Sequence, residues 1–449
     1  MSMPSLQDGI DKAGSAVNLL WKPGAAPWTP EVVEREYEHG WRAEQNAWHE
    51  GVALLNLSHH MYDLFIDGPD ALRLLADLGA NSFENFAIGQ AKQFLPVTAR
   101  GNIVTDGILA RDGEESFTLS GIPAAQHWVQ YHGERGGYDV AFRTDPSSAF
   151  RKPAGDPTLF RYQVQGPRAA ELVESVFGGP MPAVKFFHSA PVELDGRRFK
   201  ALRHGMAGQA GWEFIGPWEH AAAVYDALLA AGEPLGLVRV GALAYTTPSV
   251  ESGWIPSPVP GIYTDPELAE YRRYVPLFGI EGQRPLNGSL YSPDIEDFYC
   301  SPYELGYGKM VAFNHDFIGR DALEKAKDSV RRTKVTLVFD IDDARRVLGL
   351  GDGLEFHLTY ARNRVERNGE LAGVTMQTAS IDPVGTILAL TLIDKEHAEP
   401  GTEVEVVWGE HPGAGTDPNA DLGFPRIRAT VQPAPFNQHA RTLYRRNAR

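Results

Sequence analysis

Between Arg203 and Phe214 the chain reads RHGMAGQAGWEF, a glycine-punctuated loop that ends in one acidic residue, Glu213, set between Trp212 and Phe214. A carboxylate held beside aromatic side chains suits a flat, nitrogen-rich ligand. The same string also reads as an ordinary glycine-rich hairpin carrying a solvated glutamate. A second chemically loaded spot is the pair His59-His60, which precedes a segment with Tyr62, Leu64 and Ile66 on one face. An imidazole relays a proton near neutral pH, and neighbours in extended chain point to opposite sides, so at most one of the two faces a ligand. A surface or satisfied core histidine is the plainer alternative.

Other chemistries lack their motifs. The sequence contains no Gly-x-x-x-x-Gly-Lys, His-Glu-x-x-His, Cys-x-x-Cys or Gly-x-Ser-x-Gly, so no metal is expected to take part in catalysis. The formal net charge of -16 argues against a general nucleic-acid binder and against a protein seated on anionic membranes. Cys300 is the single cysteine, which rules out an intrachain disulfide and fits a reducing compartment. The start, MSMPSLQDGIDKAG, lacks the basic-then-apolar pattern of a secretion signal, and no apolar run approaches the length of a membrane span. A cytoplasmic location is expected, with a small-molecule substrate and no obligate protein partner.

The elements that must position these residues follow a repeated pattern. An alternating strand, then Gly-Pro, then an amphipathic helix occurs as YDLFID-GP-DALRLLADL near 62–78, FRYQVQ-GP-RAAELVESVF near 160–177, and WEFI-GP-WEHAAAVYDALLAAG near 212–232. Such units predict sheets covered by helices, an α+β architecture. Thr29-Pro30 predicts the start of a helix running to about Glu50. Residues 94–121 read as short strands joined by glycine turns, and 252–303 as a long structured loop. After the basic run Arg331–Lys334, segments such as KVTLVFDID, GVTMQTAS, TILALTLI and TEVEVVWG have the rhythm of a small antiparallel β domain. This places a boundary near 330, with 1–330 as a ligand-binding α+β region of two intertwined subdomains, the second beginning near 155, and 331–449 as a C-terminal β-barrel domain.

Several ordered segments resemble the glycine-cleavage T-protein (aminomethyltransferase) superfamily. The 203–214 loop is similar to that family's R-T-G-Y-T-G-E-D-G-F-E at Arg203, Gly205, Gly208, Gly211 and Glu213. LLNLSHHMYDLFIDGPDA, GNIVTDGIL, QGP at 165–167, NHDFIGRDAL and GELAGVTMQTASIDPVGTILALTLI resemble its other signatures. The doubled histidine of SHHM, LRHGMAG, ESGWIPSP and IEDFYCSPYELGYG resemble a narrower group, the tetrahydrofolate-dependent aryl O-demethylases that act on vanillate and syringate in lignin-degrading bacteria.

The resemblance implies a T-protein-like fold, tetrahydrofolate as cofactor and a methoxylated aromatic as substrate. The obstacle in that reaction is a phenolate leaving group whose conjugate acid has a pKa of ~10. The family pattern assigns the hydrogen-bond donor to Tyr245, with His60 as second candidate and Asp106 as third. Glu213, Gln165, Trp254 and Arg203 are the candidates for the cofactor, Lys92, Arg203 and Arg320 are cations offered for its glutamate tail without a family match, and Ile122, Trp28 and His59 are the candidates for the substrate. Two departures stand out. Thr105-Asp106 keeps one of two adjacent acids found in the glycine-cleavage enzymes, which argues against aminomethyl chemistry. Ile122 occupies a position where aryl demethylases place an arginine that grips a substrate carboxylate. Rival readings are a superfamily enzyme acting on a sulfonium or methylamine donor, and a folate-binding protein without turnover.

Overall fold

The computed structural model describes residues 3–29, 32–150, 155–256, 258–351 and 353–443. The fold is α+β, and each of the three strand-Gly-Pro-helix units forms as expected. The strands Tyr62–Asp67, Leu159–Gln165 and Gly211–Pro217 lead into helices Ala71–Leu78, Ala169–Phe177 and Ala221–Gly232. At the first two corners glycine is required, because Gly68 and Gly166 have φ of 140° and 122°. A Cβ on Gly166 would also lie 2.6 Å from the Gly51 carbonyl oxygen.

A six-stranded sheet runs in the order Val238–Val240, Ala53–Asn56, Leu159–Gln165, Gly211–Pro217, Arg197–Arg203, Ser189–Leu194, antiparallel except for its first pair. Between its first two strands in sequence, Ala53–Asn56 and Leu159–Gln165, the chain leaves to build a five-stranded antiparallel sheet. That order is Ala91–Phe94, Gly107–Arg111, Ser116–Gly121, Tyr62–Asp67, Ala141–Asp145. A bridge between Gln90 and His188 joins the two sheets. Further along, Arg332–Phe339, Thr386–Asp394, Glu370–Ile381, Arg364–Arg367, Glu403–Val407 and Arg426–Pro433 pair in a closed ring, the expected small barrel. The 252–303 segment holds short helical turns and, among the described residues, no strand.

Period-two alternation decides which side chains reach the space between the sheets. On Gly211–Pro217, Phe214 packs with Val164, Leu172, Val224 and Leu228 under the helices, with Trp212 against the same cluster. Glu213 therefore faces the opposite way. This corrects the expected framing of Glu213 by Trp212 and Phe214, which are its chain neighbours but lie across the sheet. Arg161, Gln163 and Gln165 alternate in the same manner with Phe160, Tyr162 and Val164 on the neighbouring strand.

The helix expected from Thr29-Pro30 is a second correction. It spans Gly40–Glu50 rather than starting at Thr29-Pro30; residues 32–39 are turns and bends, and Pro30 lies outside the described residues. The backbone before the helix is committed elsewhere. The Glu34 and Arg35 carbonyls accept the Ala242 and Leu243 N–H groups at 2.8 and 3.1 Å, capping the short helix Ala242–Tyr245. The buried Glu44 accepts the Tyr37 and Gly241 N–H groups at 2.7 and 3.0 Å. These bonds fix the turn that carries Tyr245. Among the described residues no helix is long and apolar enough to cross a membrane.

Candidate active site

Both sheets, the Ala242–Tyr245 turn, the 252–303 segment and one edge of the barrel enclose a cavity of about 1670 Å³. A single drug-sized ligand needs roughly 300–1,000 Å³, so two ligands fit side by side. His60, Asp106, Glu213, Tyr245, Trp254, Lys92, Ile122 and Trp28 line it.

Three polar groupings divide the wall. In the first, the Tyr245 hydroxyl and His60 Nε2 share a hydrogen bond. Burial, with Arg161 and His59 adding repulsion, pushes the His60 imidazole down to about 3, so it is neutral at physiological pH. Burial, then Tyr360 and Glu213, pushes the Tyr245 phenol well above its ordinary range. Raised in this way, the phenol keeps its proton and is available as a hydrogen-bond donor.

In the second, Arg161 Nη2 donates at 2.8 Å to both Asp63 and Ser120, and Nη1 lies 3.5 Å from Glu213. Burial opposes the guanidinium charge, but Asp63 and Glu213 outweigh it and raise its pKa. Glu213 is thus a buried, charge-balanced carboxylate on the cavity wall, able to accept N–H groups from an aminopyrimidine edge. In the third, one Asp106 oxygen accepts from Trp254 Nε1 at 2.7 Å, from the Tyr307 hydroxyl at 2.6 Å and from Gln93 Nε2. Burial raises the Asp106 pKa against the pull of these donors. These bonds tie Asp106 to Trp254 and Tyr307.

Four sequence candidates lie off the cavity wall. Gln165 is buried, and its carbonyl oxygen accepts the Met206 and Ala207 N–H groups at 2.9 and 3.3 Å, holding the glycine loop in place. Arg203 donates to the Val184 carbonyl at 3.1 Å. His59 turns to Ser148 at 2.8 Å and meets the edge of Trp218, while His60 faces inward. Arg320 pairs with Asp316, Asp321 and Glu324. Lys92 does line the cavity, donating to the Ser82 carbonyl at 2.6 Å, its pKa pushed down to about 8 by burial. Arg161, Tyr307, Gln93, His127 and Arg284 were missed. Only Arg161 left a signal, as the polar member of the Arg161, Gln163, Gln165 face in an otherwise apolar strand. Among the described residues, no group of three His, Cys, Asp or Glu side chains is placed to hold a metal ion.

The α+β scaffold with its barrel thus encloses a cavity roomy enough for two small molecules, whose wall carries a buried carboxylate and a tyrosine–histidine pair. The GCVT N-terminal domain model matches residues 19–257. A syringate O-demethylase from Sphingobium sp. (strain NBRC 103272 / SYK-6) is 38% identical over 98% of this chain and 97% of its own. A sesamin methylene transferase from Sinomonas sp. (strain No.22) is 30% identical over 84% and 85%. The crystal structure of glycine cleavage system aminomethyltransferase T from Bartonella henselae superposes with a TM-score of 0.63 over 96% of each chain at 19% identity, a likeness of fold. The chain belongs to the GCVT (aminomethyltransferase) family. It is a tetrahydrofolate-dependent methyltransferase of that family.

Proposed function

We propose that this enzyme removes a methyl group from a methoxylated aromatic compound and passes it to tetrahydrofolate, giving the phenol and 5-methyltetrahydrofolate. Bound tetrahydrofolate supplies the nitrogen that accepts the methyl group. The ether oxygen keeps the electron pair of the broken methyl–oxygen bond and takes a proton from solvent to become the phenol, while the acceptor nitrogen would release one proton to solvent in exchange for the methyl group. The observation that carries this reading is the Tyr245–His60 pair standing on the wall of the same cavity as the buried carboxylate of Glu213.

Each residue then has a role. Glu213 accepts N–H groups of the cofactor's ring, and Trp254, fixed by Asp106, offers a flat or edge contact to it. His60 Nε2–H donates to the Tyr245 oxygen in one of its two neutral tautomers, which leaves the Tyr245 O–H free to donate to the ether oxygen. That donor strengthens as phenolate charge develops, so it lowers the barrier more than it tightens ground-state binding. Alignment of donor carbon and acceptor nitrogen supplies much of the remainder, up to roughly 7–11 kcal/mol. The 38% identity to a syringate O-demethylase supports the aryl ether over a sulfonium donor. The test is to incubate the protein with tetrahydrofolate and a panel of methoxybenzoates and methoxyphenols, following loss of one methyl and gain of 5-methyltetrahydrofolate by mass spectrometry. Product from a sulfonium or methylamine donor, and from none of the methoxyarenes, would overturn it.

A further inference from the structure

We propose that His127 binds a phenolic hydroxyl of the substrate through its Nε2 atom. The substrate is then a methoxyphenol whose free hydroxyl meets His127 while its ether oxygen meets Tyr245. The inference rests on the reading of the cavity as an O-demethylation site and adds a second polar anchor and the ring substituent it selects.

The imidazole is fixed on one side and open on the other. Its Nδ1 bonds the Glu281 carboxylate at 2.7 Å, and Glu281 is itself buried. Nε2 has no hydrogen-bond partner among the described residues, yet it is not a buried atom, so it opens on the cavity that His127 lines. The helix Pro123–Arg135 sets this direction. His127 stands one turn past Pro123 and both line the cavity, whereas Ala124, Ala125, Trp128 and Val129 of the same helix pack in the core. The cations of the wall are held differently. Arg161 and Lys200 face the carboxylates of Asp63 and Asp112 at 2.8 and 2.6 Å. Arg111, Lys92, Lys334, Arg441 and Arg284 donate to backbone carbonyls. Each of these is a long side chain tied to the scaffold, while His127 presents a rigid ring with one nitrogen committed and the other facing the ligand space.

The chemistry of an acid-bound imidazole selects a hydroxyl. With Nδ1–H on Glu281, the neutral ring accepts at Nε2 from a phenol O–H; once the ring is protonated, Nε2–H donates to the phenol oxygen. A hydroxyl satisfies both states, whereas a methoxyl oxygen, which only accepts, satisfies one. A carboxylate would set a second negative charge near Glu281, whose Oε2 is already buried without a hydrogen-bond partner among the described residues. Position agrees with this choice. Tyr62 meets His127 edge-on with ring centroids 5.6 Å apart, and His60, two residues earlier, carries the contact to Tyr245. Two residues of chain span at most about 7 Å. The two ring pairs are therefore neighbours on one wall, as a single ring bearing two oxygen substituents requires. Ile122, directly before the helix, gives that ring an apolar surface.

The experiment compares the three isomeric methoxyphenols with methoxybenzene, which lacks the hydroxyl, in the wild type and His127→Asn with tetrahydrofolate present. Asparagine can still donate to Glu281 but has nothing at the place of Nε2. In the wild type, kcat/KM for the best methoxyphenol should exceed that for methoxybenzene about 10- to 100-fold, and His127→Asn should bring the ratio close to unity. An unchanged ratio in a variant that melts and binds folate like the wild type would overturn the inference, as would equal turnover of all four compounds by the wild type. Vanillate and 2-methoxyphenol, which differ by the carboxylate, test the rival occupant: if His127→Asn alters their ratio and not the first, the anchor holds an acid and the proposal fails. Should His127→Asn fail to fold, nitrogen NMR spectra of the wild type with isotope-labelled histidine decide. The best methoxyphenol should then shift an imidazole Nε2 signal that methoxybenzene leaves in place, and identical spectra refute a hydroxyl subsite. If the wild type transfers no methyl group from any of these compounds, calorimetric titration with them separates the two readings. A preference for a methoxyphenol that His127→Asn abolishes would sink demethylation while leaving the hydroxyl subsite standing, and no preference would sink the subsite as well.

Discussion

Tyr245 and His60, 185 positions apart in sequence, meet through a hydrogen bond between the phenol oxygen and Nε2, with their rings 4.5 Å apart. The pair is built by two turns, one capped by carbonyls of residues 34 and 35, the other preceding the strand Tyr62–Asp67. If Tyr245 donates to the ether oxygen as phenolate charge develops, Tyr245→Phe should lower kcat by about 10²–10³ with KM changed only a few-fold. Steady-state formation of 5-methyltetrahydrofolate measures both. Near-normal kcat would show that the leaving oxygen needs no donor from this residue.

How far the sequence reaches can be judged from the same residues. The three strand-Gly-Pro-helix units were legible because a strand's two-residue period and a helix's 3.6-residue period are local, and because Gly68 and Gly166 sit where other residues are strained. Only one of His59 and His60 lines the cavity, within the expected limit of one, but both lie in the turn before the strand, so which one faces inward was not legible from strand alternation. The surroundings of Glu213 were not legible either. Trp212 and Phe214 are adjacent in the text yet cross the sheet, whereas the group that balances Glu213, Arg161, is 52 residues away. Asp106 is likewise tied to Trp254 and Tyr307 by bonds spanning 148 and 201 residues, which no local pattern announces. The helix expected from Thr29 fails for a tertiary reason, since its leading carbonyls are spent on capping the helix that bears Tyr245.

Glu213→Gln should separate cofactor binding from folding. Arg161 keeps Asp63 and Ser120 as close partners when the Glu213 charge is removed, so the sheet survives. A neutral amide is a poorer acceptor for paired N–H groups, and folate affinity should fall about 10- to 100-fold. Calorimetric titration with 5-formyltetrahydrofolate, alongside thermal melts, reads the two quantities separately. A large drop in Tm with affinity retained would assign Glu213 to the scaffold alone.

Asp106 offers a contrast between two substitutions. Because burial raises its pKa, the native state holds the neutral form more readily than an unfolded chain does, and Asp106→Asn should be as stable as the wild type. Asp106→Ala instead strands the Trp254 indole N–H and the Tyr307 hydroxyl, each at about 1–3 kcal/mol, and should melt lower. Trp254 would lose its anchor in the alanine variant, so folate affinity should drop with it. Denaturant unfolding and folate titration of both variants check this, and equal stability of the two would show that the three donors contribute nothing.

The His127–Glu281 pair gives the fold a pH dependence whose sign can be worked out. Burial pushes the imidazole pKa down, but Glu281, itself buried and 2.7 Å away, pulls harder, and the net shift is upward from about 6.5. A raised histidine pKa means that the folded state binds the proton more tightly than the unfolded one. The stabilisation is therefore complete below the unfolded value near 6.5 and is lost as pH rises through the folded value, leaving Glu281 buried without its counter-charge. His127→Gln removes that dependence and should cost roughly 3–5 kcal/mol at about pH 6, with a smaller difference from the wild type at about pH 9. Since Glu281 sits on the helix that ends at Arg284, the same loss of the pair should loosen that end of the cavity. Thermal melts of both proteins across this range supply the comparison, and curves that stay parallel from acid to base would show that the pair is not held as an ion pair in the native state.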